Sequence, residues 1–164
     1  MDHPFLIRKL EKRDRPWAAD YIGRYWGSSS QIISRRKLYS VDSLDGYVAV
    51  KDNEYVGLIT VIIENGECQI LTLNADIENI GIGTALLMRA VEYATFHKCK
   101  RIWLITTNDN TPALRFYQTR GFVLKAIYCN EMNYSRKIKP EIPLYGIDSI
   151  PIRDEIELER RLSK

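Results

Sequence analysis

The stretch Glu67 to Leu87, ECQILTLNADIENIGIGTALL, decides how the chain is read. Gln69-Ile70-Leu71-Thr72-Leu73 is a short alternating run, the pattern of a buried strand. Asn74 to Asn79 follows as a polar turn. From Gly81-Ile82-Gly83-Thr84 the period becomes helical, with Leu86, Leu87, Ala90, Val91 and Ala94 on one face. A glycine turn that opens a helix aims unpaired backbone N–H groups and the positive dipole end at one point. That is an anion site, and phosphate is its usual guest. Two common nucleotide fingerprints are absent. A G-x-G-x-x-G run from Gly81 needs glycine where Leu86 stands, and a P-loop needs a lysine that Gly83-Thr84-Ala85 lacks. Alone, Gly81-x-Gly83 equally fits a tight turn before a core helix.

Upstream, Phe5 to Leu10 alternates as a first strand, and Asp14-Arg15-Pro16 starts a helix. Trp17, Tyr21, Ile22, Tyr25 and Trp26 form its aromatic face, and Gly27 with Ser28-Ser29-Ser30 ends it. Those aromatics read as core packing at helical spacing, or, for Tyr25 and Trp26, as the wall of a substrate pocket. Gln31 to Ser34 reads as a short strand. Arg35-Arg36-Lys37 is a solvated basic face or a contact for an anionic group. Tyr47 to Val50 and Tyr55 to Ile63 are strands, and Asn65-Gly66 is a tight hairpin signal leading into the Glu67 strand. Three successive antiparallel strands therefore precede the glycine turn. Downstream, Arg101 to Thr106 reads as a buried strand parallel to the Glu67 strand across the helical crossover. Thr111-Pro112 starts a short helix, Gly121 stops it, and Phe122 to Tyr128 is a strand.

The 164 residues suit one domain with one core. A hydrophobic share of 45% beside 27% charged residues is that of an ordinary globular chain. The net charge of +3 suits an anionic cofactor but is too small for a nucleic-acid footprint, so no nucleic acid is expected. No apolar run has the length of a membrane helix, and Met1-Asp2-His3-Pro4 does not begin a signal peptide. Cys68, Cys99 and Cys129 are odd in number and lack metal spacing. They point to reduced core thiols, a cytoplasmic location and no metal.

The tail from Glu131 to Arg153 shows no sustained helical period and carries Pro140, Pro143, Gly146 and Pro151. Its apolar residues imply a long ordered loop draped over the surface. Asp154 with Glu157 forms a capping box, which predicts a short final helix through Leu162. We divide the chain into a core, residues 1–130, and a C-terminal extension, residues 131–164. The extension packs on the same domain or on a second copy in a homodimer. With Arg136 it helps shape an acceptor pocket or that dimer contact.

The run Leu73-x-Ala75-x-x-Glu78-x-x-Gly81-x-Gly83, followed by Asn110-x-x-Ala113-x-x-Phe116-Tyr117-x-x-x-Gly121-Phe122, resembles the GNAT superfamily of acetyl-CoA-dependent N-acetyltransferases. Both motifs occur in the family's order and cover about a third of the chain. The resemblance implies a single α/β (α+β) domain, with a mixed, mostly antiparallel sheet flanked by helices. It also implies acetyl-CoA as cosubstrate and a small-molecule or peptide amine as acceptor, without a membrane. Leu71, Thr72, Leu73, Glu78, Asn79, Ile80, Gly81, Ile82, Gly83 and Thr84 would hold the cosubstrate, with Asn110, Ala113, Phe116 and Tyr117. Glu78 departs from the family, which has Gln or Arg there; its carboxylate is expected to turn to solvent or to pair with a nearby cation.

The implied chemistry is attack of an amine on a thioester. The resemblance makes the backbone N–H of Leu73 the oxyanion donor, Tyr117 the proton donor to the leaving thiolate, and Asn110 a contact of the pantetheine or phosphate region. Asn110 also suits a helix cap, and Tyr117 also suits a core aromatic. Glu67 matches the catalytic glutamate of the histone-acetylating branch and is a candidate general base; as a hairpin-edge carboxylate it has an equally simple structural reading. Two rivals use the same features: a catalytically weak CoA-binding sensor, and a protein-interaction module.

Overall fold

The computed structural model describes residues 4–27 and 31–163; the serine loop expected at 28–30 lies outside them. Seven strands form one sheet in the order β1-β4-β5-β6-β7-β9-β8, and a hairpin of β2 and β3 stands beside it. In chain order the elements begin with β1 (Leu6–Lys9), α1 (Arg15–Trp26), β2 (Gln31–Ser34), β3 (Lys37–Ser40) and β4 (Asp45–Lys51). They continue with β5 (Glu54–Glu64), β6 (Glu67–Ala75), α2 (Ile82–Phe96), β7 (Arg101–Thr107) and α3 (Thr111–Gln118). Last come β8 (Val123–Tyr128), α4 (Glu131–Ile138) and β9 (Glu155–Arg161). Pairing is antiparallel except between β6 and β7, which run parallel across the α2 crossover. Among the described residues no helix is long and apolar enough to cross a membrane.

Each face of the sheet carries its own core. On one face α2 buries Leu86, Leu87, Ala90 and Ala94 against Ile59, Cys68, Ile70 and Ile102; of the three cysteines expected in the core, Cys68 and Cys99 are buried and Cys129 is exposed. Each fully buried leucine there contributes about 1.5–3 kcal/mol. On the other face α1 buries Ala18, Tyr21 and Ile22 against Val48, Leu58 and Leu71. The start of α1 is pinned by Asp14, which has no exposed surface and accepts two 2.8 Å hydrogen bonds from Arg8 on β1. It also accepts from the Tyr55 hydroxyl at 2.6 Å and from the Glu11 N–H at 2.7 Å. Arg8 first, then Tyr55 and the Glu11 N–H, hold this carboxyl well below the usual carboxylate range.

The C-terminal expectations need correction. Residues 155–161 form a strand where a short helix was expected, and that strand is inserted between β7 and β8. Asp154 caps no helix; it accepts from the Asn130 N–H at 2.8 Å and from the Arg153 side chain. Alternation decides the element: Ile156 and Leu158 enter the α2-side core, while Glu155, Glu157 and Glu159 point to the opposite face and are buried as well. Arg101 makes this tolerable, pairing with Glu157 at 2.6 Å and Glu159 at 2.9 Å. Within the tail expected to be loop, α4 buries Met132 and Ser135, and residues 139–153 form an ordered strap. Asn108 ties the strap down by accepting from the Arg153 and Asp154 N–H groups at 3.0 and 2.9 Å and donating to the Pro151 carbonyl. Asp109 accepts from the Ile147 N–H, and a side chain at Gly146 would collide with the same carboxylate.

Candidate functional site

The turn from Asp76 to Gly81 ends in a left-handed residue. Gly81 has φ 89° and stands at the N-cap of α2, where no side chain accepts a capping hydrogen bond. The Ala85 N–H reaches the Gly81 carbonyl at 3.0 Å, so the first-turn N–H groups before it face outward toward the turn. A Cβ on Gly83 would stand 3.5 Å from the Phe116 ring, which shows how closely α3 backs this turn. Arg120, just after α3, donates from Nε to Thr84 Oγ1 at 2.9 Å and lies 3.9 Å over the Phe116 ring. A diphosphate fits such a cradle: backbone donors and a helix dipole converge on it, and the Arg120 guanidinium, which also donates to the Phe116 carbonyl at 2.9 Å, stands beside Thr84. Glu78 and Asn79 are exposed on its rim, and no ion pair involving Glu78 occurs among the described residues.

Behind the cradle the sheet opens. The β6–β7 register ends at Ile70 opposite Leu104, and beyond it the strands part. On its other side β6 bulges: Thr72 faces Thr60 and Ile70 faces Val61, which leaves Leu71 as the extra residue. Leu71 thus has a register partner in neither neighbour. The gap opens on the α1 side into a cavity of about 340 Å³. Its walls are the end of α1, β2, Ile70 and Leu71, Ile105 to Thr107, Asn110, α4, the strap and Glu155.

Several expected residues meet there. Tyr25 and Trp26 line the cavity, and their polar tips tie α1 to the end of β6. The Tyr25 hydroxyl donates to Asp76 at 2.6 Å and the Trp26 indole N–H to Asn74 at 3.2 Å. Asn110 lines it too, while its side chain accepts from the Ala113 N–H at 3.2 Å as the cap of α3. Leu71 lines it; Leu73 does not, being paired with Ile59 and packed toward the α2-side core. Tyr117 is also outside the lining. Its ring packs on Phe116 and Phe122, and burial pushes its phenol up.

Two others sit elsewhere. Glu67, at the start of β6, is held by Arg101 at 3.1 Å. Four residues separate it from Leu71, about 13 Å of strand. Arg136 turns from the cavity and donates to the Pro143 and Ile152 carbonyls at 2.7 and 2.6 Å, and to that of Ile142 at 3.3 Å. It fastens the strap to α4. The basic cluster is likewise structural: Arg36 forks onto Glu131 at 2.6 and 3.1 Å, and Lys37 pairs with Glu64 at 2.6 Å.

Sequence reasoning missed Arg120 and Glu155. Arg120 sits inside the second motif, between Tyr117 and Gly121, and its spacing was the available signal. Glu155 lines the cavity at 4% exposure. Desolvation raises its carboxyl above the usual range, with Arg35 at 3.4 Å opposing the shift. The alternation in Glu155-Ile156-Glu157-Leu158 was the signal there.

Comparison with known proteins agrees with this geometry. A profile described as the acetyltransferase (GNAT) family matches residues 7–122. The uncharacterized protein YxbD of Bacillus subtilis (strain 168) is 48% identical over 143 residues, covering 87% of this chain and 89% of its own. Among solved structures, a GNAT family acetyltransferase from Elizabethkingia anophelis with acetyl-CoA bound superposes with TM-score 0.71 at 22% identity, covering 98% of this chain and 100% of that one. A Bacillus subtilis acetyltransferase in complex with CoA gives 0.70 at 18% identity, over 97% and 99%. At those identities the structures speak for the fold.

Proposed function

The chain belongs to the acetyltransferase (GNAT) family, and on that footing we propose that it moves an acetyl group from acetyl-CoA to a primary amine by direct attack in a ternary complex. The observation that carries this reading is the parting of β6 from β7 after Ile70 and Leu104, between the uncapped α2 terminus and the cavity. Bound acetyl-CoA supplies the activated thioester. The first-turn N–H groups of α2, with Arg120, hold its diphosphate, and Asn110 meets the arm at the gap. The backbone N–H of Leu71, the bulge residue, donates to the thioester oxygen as negative charge develops there; such a donor contributes about 10²–10³ in rate. We give Leu71 the place that the resemblance gives to Leu73, because Leu71 is the bulge residue without a register partner and Leu73 pairs in register with Ile59.

Tyr117 stays neutral under this burial and is a weaker acid than a free phenol. Its part is to donate a hydrogen bond to the departing sulfur, while the amine supplies the proton that ends on the thiol. The test is calorimetric titration of acetyl-CoA and CoA, followed by thiol release across a panel of primary amines. Micromolar binding with amine-dependent thiol release is the expected result. Binding without thiol release from any amine favours the CoA-sensor reading; absence of binding overturns both.

A further inference from the structure

The attacking amine arrives as an ammonium and must lose a proton before it can react. Glu67 is poorly placed for this, being bound by Arg101 at the far end of β6. Glu155 is placed well. On β9 it stands opposite Thr107, the last residue of β7, and Thr107 lines the cavity beside it. From β6 to β9 is two strand spacings, about 10 Å where the strands stay paired, and the parting of β6 from β7 beyond Ile70 and Leu104 widens it. That distance accommodates the glutamate side chain, a nitrogen hydrogen-bonded to it at about 3 Å, and about 3 Å from that nitrogen to the carbon it attacks.

The carboxylate also has capacity to spare. Its one hydrogen bond from a described residue comes from Arg35 at 3.4 Å, and that guanidinium is shared with Glu131 at 3.7 Å and lies over the Tyr128 ring. A carboxylate can accept about four hydrogen bonds. Arg36 is spent on Glu131, and Lys139, the cavity's own cation, donates to the Trp26 carbonyl at 3.0 Å. The remaining walls are mostly apolar: Ile32, Ile33, Met132, Ile142, Pro143 and Ile152. At about 340 Å³ the cavity lies near the lower end for ligand sites, about 300–1,000 Å³. Inside the cavity a second positive charge would meet that apolar lining or Lys139; Glu141, the other carboxylate of the lining, is exposed to solvent beside Gly27.

We propose that the acceptor is a small primary amine with a single positive charge and an apolar, aromatic-sized body, and that Glu155 is the catalytic residue that takes its proton. This rests on the acetyl-transfer reading above. Glu155 removes one proton from the ammonium and passes it to solvent. The neutral nitrogen forms the C–N bond as the C–S bond breaks, and the second nitrogen proton goes to the departing thiolate, giving amide and thiol. The charged and titratable groups around Glu155 are Arg35 and Arg36 from the β2–β3 turn, Glu131, Lys139 and Glu141 from α4 and the strap, Tyr128 from β8, and Asp154 and Glu157 beside it.

The test compares wild type with Glu155→Gln and Glu155→Asp, using phenethylamine, spermidine and 2,2,2-trifluoroethylamine, the last largely neutral at working pH. Calorimetry without acetyl-CoA should show phenethylamine binding more tightly than spermidine, and a loss of at least tenfold in Glu155→Gln. With acetyl-CoA, Glu155→Gln should lower kcat/KM for phenethylamine about 100-fold and for trifluoroethylamine less than tenfold, while acetyl-CoA affinity stays within twofold. Wild type should hold kcat/KM for phenethylamine level between the raised carboxyl value and the amine's own pKa and lose it below; Glu155→Asp should keep that plateau, whereas Glu155→Gln should fall steadily from the amine's pKa downward, as the neutral fraction does. Equal losses on both amines, a retained wild-type plateau in Glu155→Gln, or spermidine as the preferred ligand would each overturn the proposal. Failure of acetyl-CoA itself to bind falls instead on the acetyl-transfer reading, since amine binding is measured without it.

Discussion

The cradle and the cavity lie on either side of the same gap in the sheet, yet they are built by different means. The cradle is almost entirely backbone and nearly contiguous in sequence: Asp76 to Thr84, with Arg120 added from behind. The cavity is side chains, drawn from α1, β2, β7, α4, the strap and β9, and held by ion pairs such as Arg36–Glu131 over 95 positions of chain. A backbone site changes little when its side chains drift. A side-chain site can change its ligand without touching the chemistry next door. The two halves should therefore be separable by mutation.

The largest expected effect breaks the cradle alone. Gly81→Val places a β-branched residue at φ 89°, where even an ordinary L residue costs about 1–2 kcal/mol. The first-turn N–H groups then lose their aim. Acetyl-CoA affinity by calorimetry should fall at least 100-fold, while the amine affinity of the cavity stays within threefold. Equal losses on both sides would show that the halves are one cooperative unit.

Asp14→Asn probes what both halves rest on. Replacing a buried carboxylate that holds Arg8, Tyr55 and the Glu11 N–H should cost about 2 kcal/mol of stability in urea unfolding near neutral pH. Its lowered native value fixes the sign. The unfolded chain takes up the proton first, so this contribution is present above about pH 4 and is lost as pH falls further toward the native value. The gap between wild type and variant should accordingly narrow below about pH 4. A gap that does not depend on pH would mean that the charge of Asp14 is not what stabilises α1.

Arg136→Ala loosens the cavity and spares the cradle. Three carbonyls lose their donor, so the strap frees itself from α4. KM for the acceptor should rise about tenfold, each lost hydrogen bond to the charged donor being worth about 1.5 kcal/mol or more before the strap relaxes. Acetyl-CoA affinity should stay within twofold. An unchanged acceptor KM would show that the strap holds its shape without this clamp.

This division also explains what the sequence disclosed. The cradle depends on local rules, a strand period giving way to a helical one at Gly81-x-Gly83, so it could be read from one window of residues. The hairpin at Asn65-Gly66, left-handed at φ 53° and 74°, was legible for the same reason. The end of the chain was not. Asp154 and Glu157 satisfy a capping-box pattern, but the helix they suggest would leave Ile156 and Leu158 without the apolar partners they have beside β7 and β8. Three buried glutamates are implausible until Arg101 and Arg35 are seen to face them, and those arginines lie more than 50 positions away. Arg136 belongs to the tail expected to shape a pocket or a dimer contact, and its partners are backbone carbonyls that no sequence pattern announces. The bulge at Leu71 is a matter of register, which periodicity alone leaves open.

The smallest effect concerns a carboxylate on the rim of the cradle. Glu78 is exposed on the rim of a site suited to a diphosphate, and the ion pairs seen among the described residues do not include it. Like charges in contact with water are screened, with a Debye length near 8 Å at physiological salt, so a solvated carboxylate repels weakly. The backbone donors of α2 are indifferent to the side chain that precedes them. Glu78→Gln should therefore tighten acetyl-CoA binding only about threefold at low salt, with the advantage gone by about 0.5 M salt. A gain of 30-fold or more would mean that the carboxylate lies against the phosphates and that side chains shape the cradle as they shape the cavity. No gain at any salt would place Glu78 beyond reach of the ligand, and the cradle would then be built from backbone and Arg120 alone.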